Sequence, residues 1–375
     1  MQLPYSEELN IGYLSKLFEN TTNCYKFFWF QAILRKMDGV RSRFTFDELI
    51  NEMIADAWYM VTEYHLRLGP LGITDNLEEV VKYIHEKYGF APAEKREKIL
   101  EFLQEVEDKR IIKYKSDLTL NVPYRLQVPF YDEINIARSM WNGSKKILIS
   151  EINRQKRLIY YFARISGLRT IIEVDEVWAE YLLKHKEILK GWTQLKLIQY
   201  LQNKNPSVPG IADKIEAPIS RDIERVRKYW KLIIQIDPSL RDIYGDILLK
   251  DEKISVDHFV PWQYVAHDEL WNLHPTTKSI NSSKSNSLPL WELYFNSLGE
   301  IEYRAYELKN QNETLAREFQ KIAPYHLNNQ QIRNQLYAEG LDKNSFIERL
   351  EHVVKPVYES AQMSGFREWI YDKSI

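Results

Sequence analysis

Asp257 and His258 stand side by side, Asn272 follows, and Asn281 and Lys284 close the same stretch between Val256 and Ser285. An acid, an imidazole, two amides and an amine this close together are the groups that a one-metal phosphodiesterase needs. A base must activate water, and His258 can do so near neutral pH. A divalent cation must neutralise charge on the phosphate and on the departing oxygen. Hard oxygen ligands must hold that cation. Asp257 and Asn281 supply them, with water and substrate phosphate completing the shell of Mg²⁺ or Mn²⁺.

The elements that position these residues are short. Ile254-Ser255-Val256 alternates like a strand, and Asp257-His258 ends it. Adjacent strand residues point to opposite faces, so both can serve one site only where the strand ends and bends. Pro261 supports that bend. Leu273 to Thr276 reads as a second strand, and Thr277 to Asn286 as a short helix with Asn281 and Lys284 on one side. The unit is ββα. His274 lies two residues after Asn272, on the same face; it could be a third ligand or a phosphate contact. His267 shares the inter-strand loop with Asp268 and Glu269 and could touch nucleic acid or bond the loop. Each histidine also reads as an ordinary structural residue.

The pattern Asp257-His258-x-x-Pro261, Asn272-Leu273, Asn281-x-x-Lys284-Ser285 and Leu288-Pro289 resembles the HNH (ββα-metal) nuclease family. It is most similar to the HNH domain of the RNA-guided CRISPR effectors, whose motif also ends in Asn. The resemblance implies that Asp257 and Asn281 bind the metal and that His258 is the general base. It implies that Asn272 ties the loop between the strands and that Lys284 lies near the substrate phosphate. Many members brace the unit with a zinc held by two Cys-x-x-Cys pairs. Here Tyr244-Gly245, Thr277 and Ile280 occupy those positions, so no structural zinc is expected. Packing by Trp262, Trp271, Ile280 and Leu288 must then replace it.

The rest of the 375 residues bounds the substrate. Hydrophobic residues make up 44% and aromatics 13%, too many for a disordered chain. The net charge is −2 and the pI about 6.5, so nucleic acid must be met by a local basic patch. Arg221, Arg225 and Lys228 recur on one helical face and form such a stripe, or a merely solvated face. Cys24 is the single cysteine, which excludes a disulfide framework. The first residues lack a signal-peptide pattern, and no apolar run approaches the roughly 20 residues of a membrane span. A cytoplasmic protein is expected.

Four regions are read along the chain. Residues 1–145 are mostly helical, with Thr21, Thr22 or Asn23 capping a buried helix from Tyr25 and Thr45 capping the next. Short strands are expected between Ile111 and Phe130, as a possible winged-helix-like substrate reader. Residues 146–238 are helical, including Asn153 to Ser166 with Arg154, Lys156, Arg157 and Arg164. Residues 239–300 hold the ββα unit, and 301–375 are helical, with Ser345 as a cap and Pro356 as an interruption. The fold class is mainly α with a small α+β unit, helical regions flanking a ββα-metal module. The expected function is a metal-dependent endonuclease acting on nucleic acid, foremost double-stranded DNA, in restriction or anti-phage defence. An RNA-cleaving effector and an idle, scaffold-like HNH fold stay open, as does assembly into a homo-oligomer or with a partner subunit.

Overall fold

The structure is a computed structural model that describes residues 2–141, 143–155, 158–216 and 223–372. Lys156, Arg157 and Arg221 lie outside the described residues. The chain is mainly helical and divides into two compact units. The first is Met1–Pro206 with Ile211–Ala217; the second is Ser207–Gly210 with Pro218–Ile375. The four regions read from the sequence map onto these two. The boundary at 145 vanishes because Arg43–Thr45 pairs with Ile171–Val174 across it. The ββα unit shares its body with the C-terminal helices.

In the first unit, helix α1 (Tyr25–Lys36) is buried from Phe27 to Leu34 save Gln31, as its apolar character on all sides requires. It packs against α2 (Phe46–Thr62) and the helix Lys186–Lys204. Its N-cap is Cys24, which makes no side-chain cap, so Thr21, Thr22 and Asn23 do not serve. Thr45 does cap α2. Its hydroxyl accepts from Glu48 N, and the Glu48 carboxylate accepts from Thr45 N, satisfying two otherwise open amides. A three-stranded antiparallel sheet stands beside these helices, in the order β1 (Arg43–Thr45), β3 (Ile171–Val174), β2 (Tyr160–Arg164).

The strands expected between Ile111 and Phe130 are helices instead. In α3 (Lys109–Leu118), Ile111, Lys115 and Leu118 are buried at helical spacing, and Asp108 caps the first turn. Pro123 and Pro129 each sit in the first turn of a one-turn helix, Val122–Arg125 and Val128–Tyr131. A proline there loses no hydrogen bond, because the first-turn amides have no partner within the helix. No strand lies between Ile111 and Phe130, all of which are described residues. Conversely, one helix does not run across Asn153 to Ser166: Lys145–Gln155 is helical and Tyr160–Arg164 is a strand. Tyr160, Tyr161 and Phe162 extend as β2, where aromatic side chains fit a pleated, half-buried surface.

The second unit is built around a hairpin of β4 (Ile254–His258) and β5 (Leu273–Thr277). Helix α4 (Glu224–Ile236) packs on it, and Trp230 donates its indole N–H to Leu273 O at 3.0 Å. Helix α5 (Lys278–Lys284) follows β5, then α6 (Trp291–Gln311), the helix Glu313–His326 and α7 (Lys343–Met363). Asp342, not Ser345, caps α7. Pro356 does not interrupt α7, because it is exposed and water can reach the carbonyl that it leaves unbonded. Glu368–Trp369 returns to pair with Leu288–Pro289 in parallel. No helix among the described residues is long and apolar enough to cross a membrane.

The free edge of β2 is closed by side chains. Gln127 Oε1 accepts from Tyr160 N at 3.0 Å, and its Nε2 donates to Tyr160 O at 3.1 Å. Asn153 does the same for Phe162 at 2.9 and 2.8 Å. Alternate residues of a strand turn their backbone groups to the same side, so the two amides stand in for a further strand and protect the edge. Gln127 is fully buried. Gln127→Leu should therefore orphan two buried backbone groups and lower stability by about 2–4 kcal/mol in urea unfolding. A variant as stable as the parent would show that Gln127 does not close the edge.

Candidate active site

Register sets the site. Ser255 and Asp257 lie opposite Thr276 and His274, so these four side chains share one face of the hairpin. Helix α5, capped by Thr277, lies along that face. Asn281 Nδ2 donates to Ser255 Oγ at 2.8 Å and to Val256 O at 3.2 Å. One turn later, the Lys284 ammonium donates to His258 O at 2.7 Å and lies 3.1 Å from Asp257 Oδ2. Tyr244 Oη also donates to Asp257 Oδ2, at 2.9 Å. Asp242 accepts from Tyr244 N at 2.9 Å and from the Thr276 hydroxyl, anchoring the preceding turn. A side chain at Gly245 would meet Tyr371 at 2.9 Å and Ile247 and Ile280 at 3.2 Å, so those side chains would have to shift. Ile280 and Leu288 are fully buried, and Trp262 and Trp271 nearly so.

His258 is the last residue of β4, at the start of the loop between the strands. Its Nε2 lies 2.8 Å from Asp268 Oδ1. An ionised carboxylate only accepts, so Nε2 is the donor of this pair. Asn272, fully buried, closes the loop between them. Its Oδ1 accepts from Val260 N at 2.7 Å, and its Nδ2 donates to Val260 O at 2.9 Å. Ala266, at φ 53°, turns the chain back toward Asp268. Asp268 O accepts from His326 Nδ1 at 2.7 Å, and Glu269 accepts from Asn328 N and Nδ2 at 3.0 and 2.8 Å. The segment that presents Asp268 is thus held by the end of the Glu313–His326 helix.

Asp257, His258, Asn272, Asn281 and Lys284 all gather at the β4 end. Lys284 is fully buried and faces inward to Asp257, away from any external phosphate. Burial pushes its pKa down, and Asp257 pulls it back up. His274 is also fully buried, which removes it from any nucleic-acid contact. Its ring nitrogens make no hydrogen bond, Asp257 Oδ2 lies 3.8 Å from Nε2, and burial pushes its pKa down to about 3. It is therefore neutral. His267 is exposed, with its ring against Trp271. On α4, Lys228 is exposed and Arg225 lies over the Tyr325 ring at 4.2 Å. The sequence reading passed over Asp268, Tyr244 and Asp242. The one signal for Asp268 was an acid in the same loop, ten positions after the histidine.

The donor set suits a hard cation. The Asn281 amide is oriented through Nδ2, and its Oδ1 accepts from no described residue. Asp257 adds a carboxylate. Among the described residues, no group of three or more His, Cys, Asp or Glu is placed to hold a metal ion. One carboxylate and one amide oxygen fit an ion that keeps waters and takes substrate phosphate, such as Mg²⁺, and not a closed zinc site.

Residues 239–290 match the HNH endonuclease family. This HNH module contains every residue of the constellation and ends just before α6. No curated protein and no solved structure matched the chain. Lys284 makes a stability test of the module. Removing one partner of a buried pair leaves the other charge uncompensated, so Lys284→Met should cost about 3–5 kcal/mol in urea unfolding. Adding Asp257→Leu should recover part of that loss. A double variant less stable than the single would sink the pairing.

Proposed function

We propose that the HNH module is a working endonuclease that hydrolyses phosphodiester bonds in double-stranded DNA with Mg²⁺ or Mn²⁺. The observation that supports this most is the His258–Asp268 pair set beside Asp257 within a stretch that matches the HNH family. Asp268 keeps the proton on Nε2 of His258 and fixes the ring. Nδ1 then takes the proton from the attacking water. Asp257 and Asn281 would hold the divalent cation that HNH nucleases generally use. When bound, that cation neutralises charge on the phosphate and on the departing oxygen. Lys284 positions Asp257 and the His258 carbonyl, and Asn272 fixes the turn after the strand. Exposed His267, Arg225 and Lys228 are the side chains offered to the nucleic acid, consistent with local and not overall positive charge. A nuclease module joined to a large separate unit suits restriction or anti-phage defence.

The test is nicking of supercoiled plasmid, with RNA in parallel, in Mg²⁺ or Mn²⁺ and in EDTA. Cleavage of DNA should require the metal, and Asp257→Ala should abolish it. Loss of the general base in His258→Ala should lower kcat by about 10²–10⁴. Equal cleavage by that variant would remove His258 from the chemistry. Cleavage of RNA alone would identify an RNA-cutting effector, and cleavage of neither would point to an idle fold.

Asp268 acts through His258, so its substitution should move kcat and not KM. Asp268→Asn should lower kcat by about 10- to 10²-fold, the order that misplaced catalytic groups cost, with an unchanged melting temperature. Asp268→Glu should restore part of the rate. A matched rise in KM, or a fall in melting temperature that accounts for the lost activity, would reduce Asp268 to a structural residue.

A further inference from the structure

A cavity of about 730 Å³ opens in the first unit, between the turn Ile11–Ser15, the start of α1 and the one-turn helices at Pro123 and Pro129. Its size falls in the range of small-molecule sites. The cations Lys16, Lys26 and Arg125 line it. Lys26 is half-buried, and its ammonium donates to Leu17 O at 3.3 Å and Asn20 O at 3.0 Å. An ammonium has three donors, so one remains. No carboxylate among the described residues pairs with it. Burial, with the charge of Arg125 added, pushes its pKa down to about 8. A half-buried cation lacking a counter-charge is costly, and an anion entering the cavity would relieve that cost. The cavity also offers the aromatic rings of Tyr13 and Trp141, and the exposed carboxylates of Glu19 and Asp132.

We propose that this cavity binds a nucleotide unit, either free or within a single strand. The phosphate meets Lys26 and Arg125, as phosphates meet cationic donors elsewhere. The base lies against Tyr13 and Trp141, which give a stacking surface to any base. Asp132 accepts from the ribose hydroxyls. One ligand thereby uses the cationic, aromatic and acidic groups together, where inorganic phosphate would use only the first. The site stands independently of the nuclease reading, since it lies wholly in the first unit.

The test is calorimetric titration of the full chain in EDTA. The probes are AMP, GMP, CMP, UMP, adenosine, inorganic phosphate and a single-stranded tetranucleotide. At least one nucleoside monophosphate, or the tetranucleotide, should bind about tenfold or more tighter than adenosine or phosphate alone. Lys26→Met, Arg125→Gln and Trp141→Ala should each weaken that binding by a similar factor. Lys26 also holds two backbone carbonyls, so melting temperatures accompany the series, and Arg125→Gln decides if Lys26→Met fails to fold. Monophosphate binding identifies a free ligand. Binding confined to the tetranucleotide, and lost in the variants, identifies a strand. No binding, binding of phosphate without preference for a base, or unchanged affinity in the folded variants would overturn the proposal.

Discussion

One buried ammonium holds the HNH module together. Lys284 sits in the last turn of α5, where the helix dipole favours a cation. It bonds the carbonyl of His258 and the carboxylate of Asp257. Those two residues are the last two of β4. A single contact to the side chain of one and the backbone of the other fixes both. Taking lysine and aspartate out of water costs several kcal/mol each, which only full satisfaction can offset. Tyr244 adds a bond to Asp257. The ion pair and the close approach at Gly245 pack this unit together.

A second device recurs throughout the chain. A side-chain amide offers one acceptor and two donors, which match the carbonyl and N–H of a single backbone residue. Asn272 clamps Val260 in this way, Asn205 clamps Arg67, Gln127 clamps Tyr160 and Asn153 clamps Phe162. Each clamp sits where the backbone leaves regular structure or where a sheet ends. Buried backbone groups must find partners, and irregular segments cannot find them in a ladder. The loop that follows His258 can therefore be buried and still keep one shape.

What the sequence revealed tracks the distance over which each interaction acts. The ββα order was legible because alternation, a helix cap and a proline are local signals. The helical spacing of Asn281 and Lys284 put them on one side, and both do reach β4. Spacing does not say which of the two turns inward, and the burial of Lys284 depends on Tyr244 and His258. The segment from Ile111 to Phe130 misled because short apolar runs suit a strand or a single helical turn equally. There the deciding features were the Asp108 cap and the placement of two prolines at helix starts. The pairing of Phe44 with Ile172 joins regions that composition alone separates.

Asp268 shows how the flanking helices reach into the HNH module. Its partner His258 is only ten positions away, yet the loop between them includes a left-handed alanine, a conformation that costs free energy unless the surroundings impose it. The surroundings here are His326 and Asn328, 58 and 59 positions beyond the residues they hold. The stretch that matches the HNH family ends at residue 290 and contains neither. The imidazole is thus oriented by a carboxylate inside the module, and that carboxylate is held by a helix outside it. The C-terminal helices are then part of the frame of the site, with Glu368–Trp369 returning to Leu288–Pro289 to close it. Within the second unit, the loop that carries Asp268 and the helices that flank the module therefore form one support.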